Sequence, residues 1–574
     1  MRRRISILTS ENPLQVRLIP PYTREEIPGD CHVIPMPDTW VSDALQGELA
    51  RWCPTQPVLI AAPTGRGKTE FVKCLAQYQR YRRGSILLLV HRSAIAVQQK
   101  RRLAAALNSR WSGVEDLKAL DCADEALSDV GLTVVTYQRF AARHAQMPLQ
   151  EFAWVVCDEA HAFFSDAAFS PHLDPLFWKL PKMFRHARRL YLTATPGPIL
   201  PLLCRAERDN LQACRNCRPY CHPGIGKLLF YRFPNRFSAV DLRYFRRIEE
   251  ITDLVQSRPE EKFLIFTAAR EKPEAETQSH KKSLEGRGVS VAYLDRFSKG
   301  TPAWDAVCRE ERFPQQALIC TSVLDCGVNL KDPALRHIVV EATDKTEFLQ
   351  MLGRKRLETG ATVHAYIRVP DSATIRRRLA QVQDDLCFIR QAEKALRGGD
   401  NNLLLYCGWN DAGEERRFMR LLNCRDGKIS PKRTAIEYLR WQEATLRRIL
   451  EDAEALGDDS ALPRLAHAWL EQSDAYDERR WLDYDQKAKA WETLEEFLAT
   501  HADIPMTQES FAQFSQQLAP LVNAIRIFPH DGRRMLGVKA LNSRLEQLGL
   551  CFKLQKMGRN SKTILKKEEE LGYV

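Results

Sequence analysis

The stretch APTGRGKTE, Ala62 to Glu70, decides how the rest of the chain is read. Two glycines sit one residue apart, and the run closes on Lys-Thr. PVLIAA (57–62) leads into it as a strand, and EFVKCLAQYQRY follows as a helix. A Gly-rich loop in that setting turns backbone N–H groups onto phosphate oxygens. Gly65 and Gly67 would make the turn. Lys68 would reach the β- and γ-phosphates of a nucleotide, and Thr69 would hold Mg²⁺. Ala62 stands where the general Walker A pattern has its first glycine. A kinase, a switch and a motor all use such a loop, so the rest of the chain must separate them.

The chain has 574 residues, enough for several domains. Its apolar fraction of 44% and charged fraction of 28% fit a soluble globular protein. The N-terminal MRRRISILTSENPLQ has no apolar run of signal-peptide length, and no stretch nears the roughly 18 apolar residues of a membrane span. A cytoplasmic protein without a membrane partner is expected. Lys and Arg number 85 against 73 Asp and Glu, a net charge of +12, which favours a polyanionic partner such as nucleic acid.

Short apolar runs recur between helical patterns. PVLIAA, SILLLV (85–90), LTVVTY (132–137), FAWVVCD (152–158) and RLYLTAT (189–195) form one series. FLIFT (263–267), VSVAYL (289–294), ALICTS (317–322), HIVVEA (337–342) and TVHAYI (362–367) form a second. Near-continuous apolar strands imply parallel sheets covered on both faces, hence two α/β domains in tandem. Their join is expected between about Pro196 and Glu261. After Pro370 the chain turns charged and helical.

FAWVVCDEAH ends an apolar strand in two acids. Asp158 at the strand tip would hold Mg²⁺ through water, and Glu159 would accept a proton from an attacking water. APTGRGKT, DEAH (158–161) and TATP (193–196) together resemble the first motor domain of a superfamily 2 DEAH/DExH-box helicase. The second series agrees: FLIFTAAR (263–270), TSVLDCGVNL (321–330) and QMLGRKR (350–356) resemble motifs IV, V and VI. The resemblance covers roughly residues 55–370. It implies two RecA-like domains closing on one ATP, with Gln350 at the attacking water or γ-phosphate. Arg354 and Arg356 would be arginine fingers; many family members carry the second arginine one place later, where this chain has Leu357. The resemblance also implies strand contacts at His91, Arg92, Thr136 and Thr321, made to phosphate rather than bases. His161, Thr193 and Thr195 would couple the nucleotide and strand sites.

Two weaker signals remain. Cys204, Cys214, Cys217 and Cys221 have spacings C-x9-C-x2-C-x3-C. The C-x2-C pair suits tetrahedral zinc, thiolates also suit iron–sulfur clusters, and free thiols are the plain alternative. Between Arg533 and Lys567 there are ten Lys or Arg and one Glu. There VKALNSRLEQLGL reads as a helix, and CFKLQKMGRNSKTILKK as two short strands, the outline of a winged helix that grips duplex phosphates. A solvated basic tail is the alternative. No nuclease constellation is present.

The expected layout is an N-terminal segment (1–54), a first RecA-like domain (55–200), a connection carrying the cysteines (201–260) and a second RecA-like domain (261–370). A helical accessory region open to protein partners (371–510) and a basic C-terminal module (511–574) follow. The expected activity is ATP-dependent movement along nucleic acid, with DNA favoured over RNA. An RNA helicase or RNA-stimulated ATPase is one alternative, and a motor subunit of a larger replication or defence assembly is another.

Overall fold

The computed structural model describes residues 28–80, 82–107, 124, 127–167, 170–214, 224–234, 237, 240–267, 280–295, 297–298, 300–321, 330–355, 362–397, 412–425, 428–472, 476–525, 537–548, 550–557 and 562–567. The chain divides into two compact units, Met1–Tyr476 and Asp477–Val574.

The first unit opens with β1 (Cys31–Pro35), α1 (Val41–Leu45), β2 (Val58–Ala61), α2 (Lys68–Gln79), β3 (Ser85–Val90) and α3 (Ser93–Leu107). Next come β4 (Leu132–Thr136), α4 (Tyr137–Arg143), β5 (Phe152–Cys157), α5 (Ala162–Ser165) and α6 (Leu173–Met183). The first series closes with β6 (Arg188–Thr193), α7 (Leu200–Ala206), α8 (Arg208–Cys214) and β7 (Leu228–Arg232). The strands pair in the order β1-β7-β2-β6-β5-β3-β4, all parallel. Alternate strand residues point to opposite faces. Ile86, Leu88 and Val90 pack under α1–α3 with Phe71 and Leu75. Leu87 and Leu89 pack on the other face with Phe140, Phe163 and Phe177. Both faces are buried, which is why these strands read as unbroken apolar runs.

The second sheet comprises β8 (Val240–Phe245), followed by α9 (Ile248–Gln256), then β9 (Lys262–Phe266), β10 (Val291–Leu294), β11 (Ala317–Cys320) and β12 (Leu335–Val340). It ends with α10 (Lys345–Leu352) and β13 (Val363–Arg368). Its order is β10-β11-β9-β12-β13-β8, again all parallel. The interval 201–260, read as a connection, supplies β7 to the first sheet and β8 to the second. β7 lies between β1 and β2, so the chain leaves the first sheet one strand in from its β1 edge, not from its last predicted strand.

Beyond β13 lie α11 (Ser372–Arg397), a hairpin of β14 (Leu422–Arg425) and β15 (Lys428–Pro431), α12 (Arg433–Leu456) and α13 (Ala461–Trp469). Asp174 of α6, 4% exposed, anchors this module. It accepts from the backbone N–H and hydroxyl of Thr434 at 2.8 and 2.9 Å and from Asn423 Nδ2 at 3.0 Å. One turn of α12 reaches both parallel-sheet halves of the first unit. The Tyr438 ring meets Phe164 of α5 edge-on at 5.2 Å, and Trp441 Nε1 donates to Asp344 Oδ2 at 2.9 Å. Asp344 in turn caps α10 through the Thr346 and Glu347 N–H groups at 2.8 and 3.1 Å.

The second unit runs α14 (Tyr484–His501), β16 (Pro505–Met506), α15 (Gln508–Ile525), α16 (Val538–Gln547), β17 (Phe552–Met557) and β18 (Lys562–Lys567). Its antiparallel sheet has the order β16-β18-β17. Leu494, Leu498, Phe514, Leu541, Leu545 and Leu565 share one core. The helix α16 followed by the hairpin β17–β18 is the helix-then-two-strands order expected from the tail. The unit starts at Asp477, so α14 at its core comes from the stretch read as accessory helix, while α15 begins at the end of that stretch. No described helix is long and apolar enough to cross a membrane.

Candidate nucleotide site between the two parallel sheets

The loop after β2 takes the conformation its glycines permit. Gly65 and Gly67 have φ of 84° and 77°, a region disfavoured for residues with a Cβ. At Gly67 a Cβ would also lie 3.0 Å from the Trp40 ring. Arg66 is turned away from the loop and 1% exposed. It ion-pairs with Asp38 and donates to the carbonyls of Thr39 and Pro234 at 3.4 and 3.3 Å, which ties the loop to its flanks. Gly67 caps α2 without a side chain, so the N–H groups of the first turn face the loop. Lys68 Nζ donates to Ala62 O at 3.2 Å and lies 3.7 Å from Glu159 Oε1. Thr69 Oγ1 accepts from Gln99 Nε2 at 2.9 Å.

The acid pair sits at the tip of β5. The Asp158 N–H donates to Leu89 O at 2.9 Å, and Tyr137 OH donates to Asp158 O at 2.8 Å. Asp158 Oδ1 accepts from the Glu159 N–H at 3.1 Å. Glu159 has φ of 49°, a strained value for a residue with a side chain. Burial and the Glu159 charge push the Asp158 carboxyl up. Burial opposes the Glu159 charge too, but Lys68, His161 and Arg354 outweigh it and hold that carboxyl down. Glu159 Oε2 is buried without a hydrogen bond, 3.4 Å from His161 Nδ1.

His161 links the two sheets. Burial lowers its pKa to about 4, so it is neutral at pH 7. Its Nδ1 lies 3.1 Å from Thr193 Oγ1, and its Nε2 meets the side-chain amide of Gln350 on α10. A neutral ring donates at one nitrogen and accepts at the other. With Nδ1–H donating to Thr193, Nε2 accepts from Gln350. Thr193 Oγ1 also accepts from the Thr195 N–H at 3.1 Å. Arg354 is 3% exposed and donates from Nε to Gln350 O at 2.8 Å. Gly353 lies so close to the loop that a Cβ there would sit 2.5 Å from Thr64 Oγ1 and 2.9 Å from Thr64 Cβ. Farther along the cleft, Glu311 accepts from Gln98 Nε2 of α3 at 2.8 Å and pairs with Arg102 of α3. Residues from both sheets therefore converge on Glu159.

The other expected positions differ in their surroundings. His91 is 1% exposed, with Nε2 2.5 Å from Asp166 Oδ2. Arg92, expected beside it as a second strand contact, also pairs with Asp166 at 3.0 Å but keeps 38% of its side chain exposed. Thr136 is half-buried and caps α4 through the Arg139 N–H at 3.2 Å. Thr321 is 8% exposed at the end of β11. Arg356, Cys217 and Cys221 lie outside the described residues. Cys204 and Cys214 have near neighbours from an earlier part of the chain: Cys204 Sγ is 3.2 Å from Cys31 Sγ, and Cys53 lies beside Cys214. Among the described residues no group of three His, Cys, Asp or Glu side chains forms a metal site.

The sequence reading did not single out Gly353, Trp40, Glu311 or Trp441. Gly353 alone carried a signal, as the glycine between Leu352 and Arg354 in the QMLGRKR motif.

The family model described as "Type III restriction enzyme, res subunit" (ResIII) matches residues 45–197. That match spans β2 to β6 of the first sheet and none of the second. It runs from the end of α1 through the loop, the acid pair and TATP. Solved structures similar to the chain include a Dbp5 variant from S. cerevisiae bound to RNA and ADP BeF3, at 15% identity, TM-score 0.39, covering 56% of this chain and 82% of that one. A second is the Mycobacterium smegmatis helicase Lhr bound to ssDNA and AMP-PNP, at 14% identity, TM-score 0.38, covering 91% of this chain and 59% of that one. No curated protein matches the chain.

Proposed function

We propose that the protein is an ATP-hydrolysing DEAH-type motor that moves along nucleic acid, with DNA as its track. The observation that carries this reading is the setting of Glu159. Lys68 from the first sheet and His161, itself bonded to Gln350 of the second, both lie beside it.

The residues suit a nucleotide and its magnesium ion. The loop presents left-handed glycines and uncapped N–H groups, and Glu159 Oε2 and Thr195 Oγ1 are buried without hydrogen bonds. Thr69 and Asp158 would hold magnesium, which when bound neutralises phosphate charge. Lys68 would bind the phosphate chain, and that engagement draws its charge from Glu159. The Glu159 pKa then rises towards the range of a useful general base. Arg354 supplies positive charge where phosphoryl transfer develops negative charge. Gly353 against Thr64 keeps that arginine close to the loop. His161 passes the state of the acid pair to Gln350 and to Thr193, so hydrolysis and domain closure change together.

The preference for DNA is supported by the C-terminal unit. On its hairpin Lys553 stands directly across from Lys566, and both are exposed. Like charges in cross-strand register repel, and a phosphate backbone between them relieves the repulsion.

ATPase rates with single-stranded, duplex and forked DNA, and with matching RNA, test the proposal. Stimulation by DNA above RNA is expected. Greater stimulation by RNA would reverse the track, and no stimulation by any polymer would overturn the motor reading.

A further inference from the structure

On the face of the first sheet away from α2, a cleft of about 400 Å³ opens between α6–α8 and the helical module. Arg205, Arg208, Arg433 and Arg440 line it, with Trp178 and two acids, Glu393 and Glu437. Glu437 is shared between Arg205 at 3.2 Å and Arg440 at 3.3 Å. Among the described residues neither Arg208 nor Arg433 has a carboxylate partner. The Arg433 guanidinium instead lies over the Trp178 ring, 5.7 Å from its centre. That ring is half-buried and its plane is set by Nε1 donating to Asp174 Oδ1 at 3.3 Å.

We propose that this cleft is a second contact for a single strand of nucleic acid, outside the expected strand-binding motifs. The inference rests on the motor reading above. Four guanidiniums against two carboxylates leave an excess of positive charge in a concave, open site. Guanidiniums bind phosphate oxygens with two parallel N–H groups, a geometry lysine lacks. A fixed indole with a guanidinium over it offers a stacking surface for a base, and base stacking tolerates any sequence. The cleft is built jointly by the first α/β half and by α11 and α12 of the module, so a strand seated there touches both. This assigns the helical module a role that gave no chemical signal in the sequence.

The test uses the full chain with Arg208→Gln and Arg433→Gln combined. Both side chains are exposed and neither belongs to the ATP site, so the melting temperature and the ATPase rate without nucleic acid should be unchanged. Binding of a labelled single-stranded oligonucleotide is measured over a salt series. Each lost phosphate contact lowers the slope of log affinity against log salt by about 0.7 for a single strand. A slope reduced by about 1 to 1.4 is expected, with affinity near 0.1 M salt roughly tenfold lower. A paired Arg208→Lys and Arg433→Lys variant should recover most of the slope, because it keeps the charge.

Wild-type binding with unchanged affinity and slope in the Gln variant would overturn the cleft proposal and leave the motor reading standing. Absence of strand binding by the wild-type protein would overturn both. Loss of oligonucleotide binding without a slope change, unrestored by lysine, would also sink the proposal, because a lost phosphate contact must appear in the salt dependence.

Discussion

Gly353→Ala is the sharpest probe of the candidate nucleotide site. The substitution adds one methyl group, and its cost follows from the geometry. A Cβ at this position would lie 2.5 Å from Thr64 Oγ1, 2.9 Å from Thr64 Cβ and 3.3 Å from Leu349 O. Turning the Thr64 side chain moves Oγ1 aside but leaves Cβ where it is. The segment carrying Gln350 and Arg354 must therefore retreat from the loop by several tenths of an ångström, up to about 1 Å. Misplacing a catalytic group by about 1 Å costs on the order of 10²-fold in rate. Steady-state ATP hydrolysis should show kcat lowered by roughly 10- to 100-fold, with a much smaller change in KM, because the phosphate-binding loop keeps its own conformation. Adding Thr64→Gly removes the opposing Cβ and should restore part of the loss, an interaction between the two sites that a mutant cycle measures. Full activity in Gly353→Ala would refute the packing of the two halves. A loss that Thr64→Gly leaves untouched would show that the methyl group acts by another route.

Lys68→Ala should abolish hydrolysis and weaken ATP binding, while Glu159→Gln should keep binding and trap ATP; a filter assay with labelled ATP separates the two. Arg354→Ala should lower turnover by roughly 10³-fold, the scale of a lost arginine finger, with little change in ATP affinity. The native pKa of His161, about 4, lies below the ordinary value of 6.5. Between those values the unfolded chain binds the extra proton and the folded chain does not, so stability should fall as pH drops from 6.5 towards 4; urea midpoints should shift less with pH in His161→Gln. Deletion from Asp477 should leave basal ATP hydrolysis intact and weaken duplex binding. Deletion from Arg533 should instead unfold what remains of the second unit, because Leu541, Leu545, Leu554 and Leu565 complete its core; proteolysis of the two truncations distinguishes them.

The central strands were legible because burial on both faces leaves an unbroken apolar run, as in Ile86–Val90 and Val155–Cys157. β1 was less so. It lies at the sheet edge, half-buried along most of its length, and CHVIP carries no clear period. β7 is buried like β2 beside it, and LLFYR is apolar enough to be a strand. What the sequence could not convey is its destination, since chain order does not reveal that residue 228 returns beside residue 31. The same limit applies to His91. A polar residue ending an apolar strand reads as exposed, yet Asp166, 75 residues later, comes to lie against it. Cys204 and Cys214 looked like one cluster from their spacing, but their near partners Cys31 and Cys53 stand far away in the chain.

The groups proposed for catalysis were readable because phosphate chemistry restricts both their types and their spacing. The contacts that hold them together are not restricted in this way. Trp441 reaches Asp344 across 97 positions, and any good donor would serve there. The His161–Gln350 contact lies between these cases, since both residues belong to motifs but their meeting does not follow from either. That contact needs a neutral imidazole, because Nε2 must accept while Nδ1 donates to Thr193. An imidazolium would present two donors, and Gln350 would have to turn its amide to offer Oε1 instead. Burial, the Lys68 charge and the His91 ring all disfavour the imidazolium, against the opposing pull of Glu159 and Asp166. Lys68 and Glu159 would both change partners once phosphate is bound. The bond between the two halves is thus sensitive to the electrostatic state of the nucleotide site. Coupling by this route requires no contact between Gln350 and the nucleotide itself.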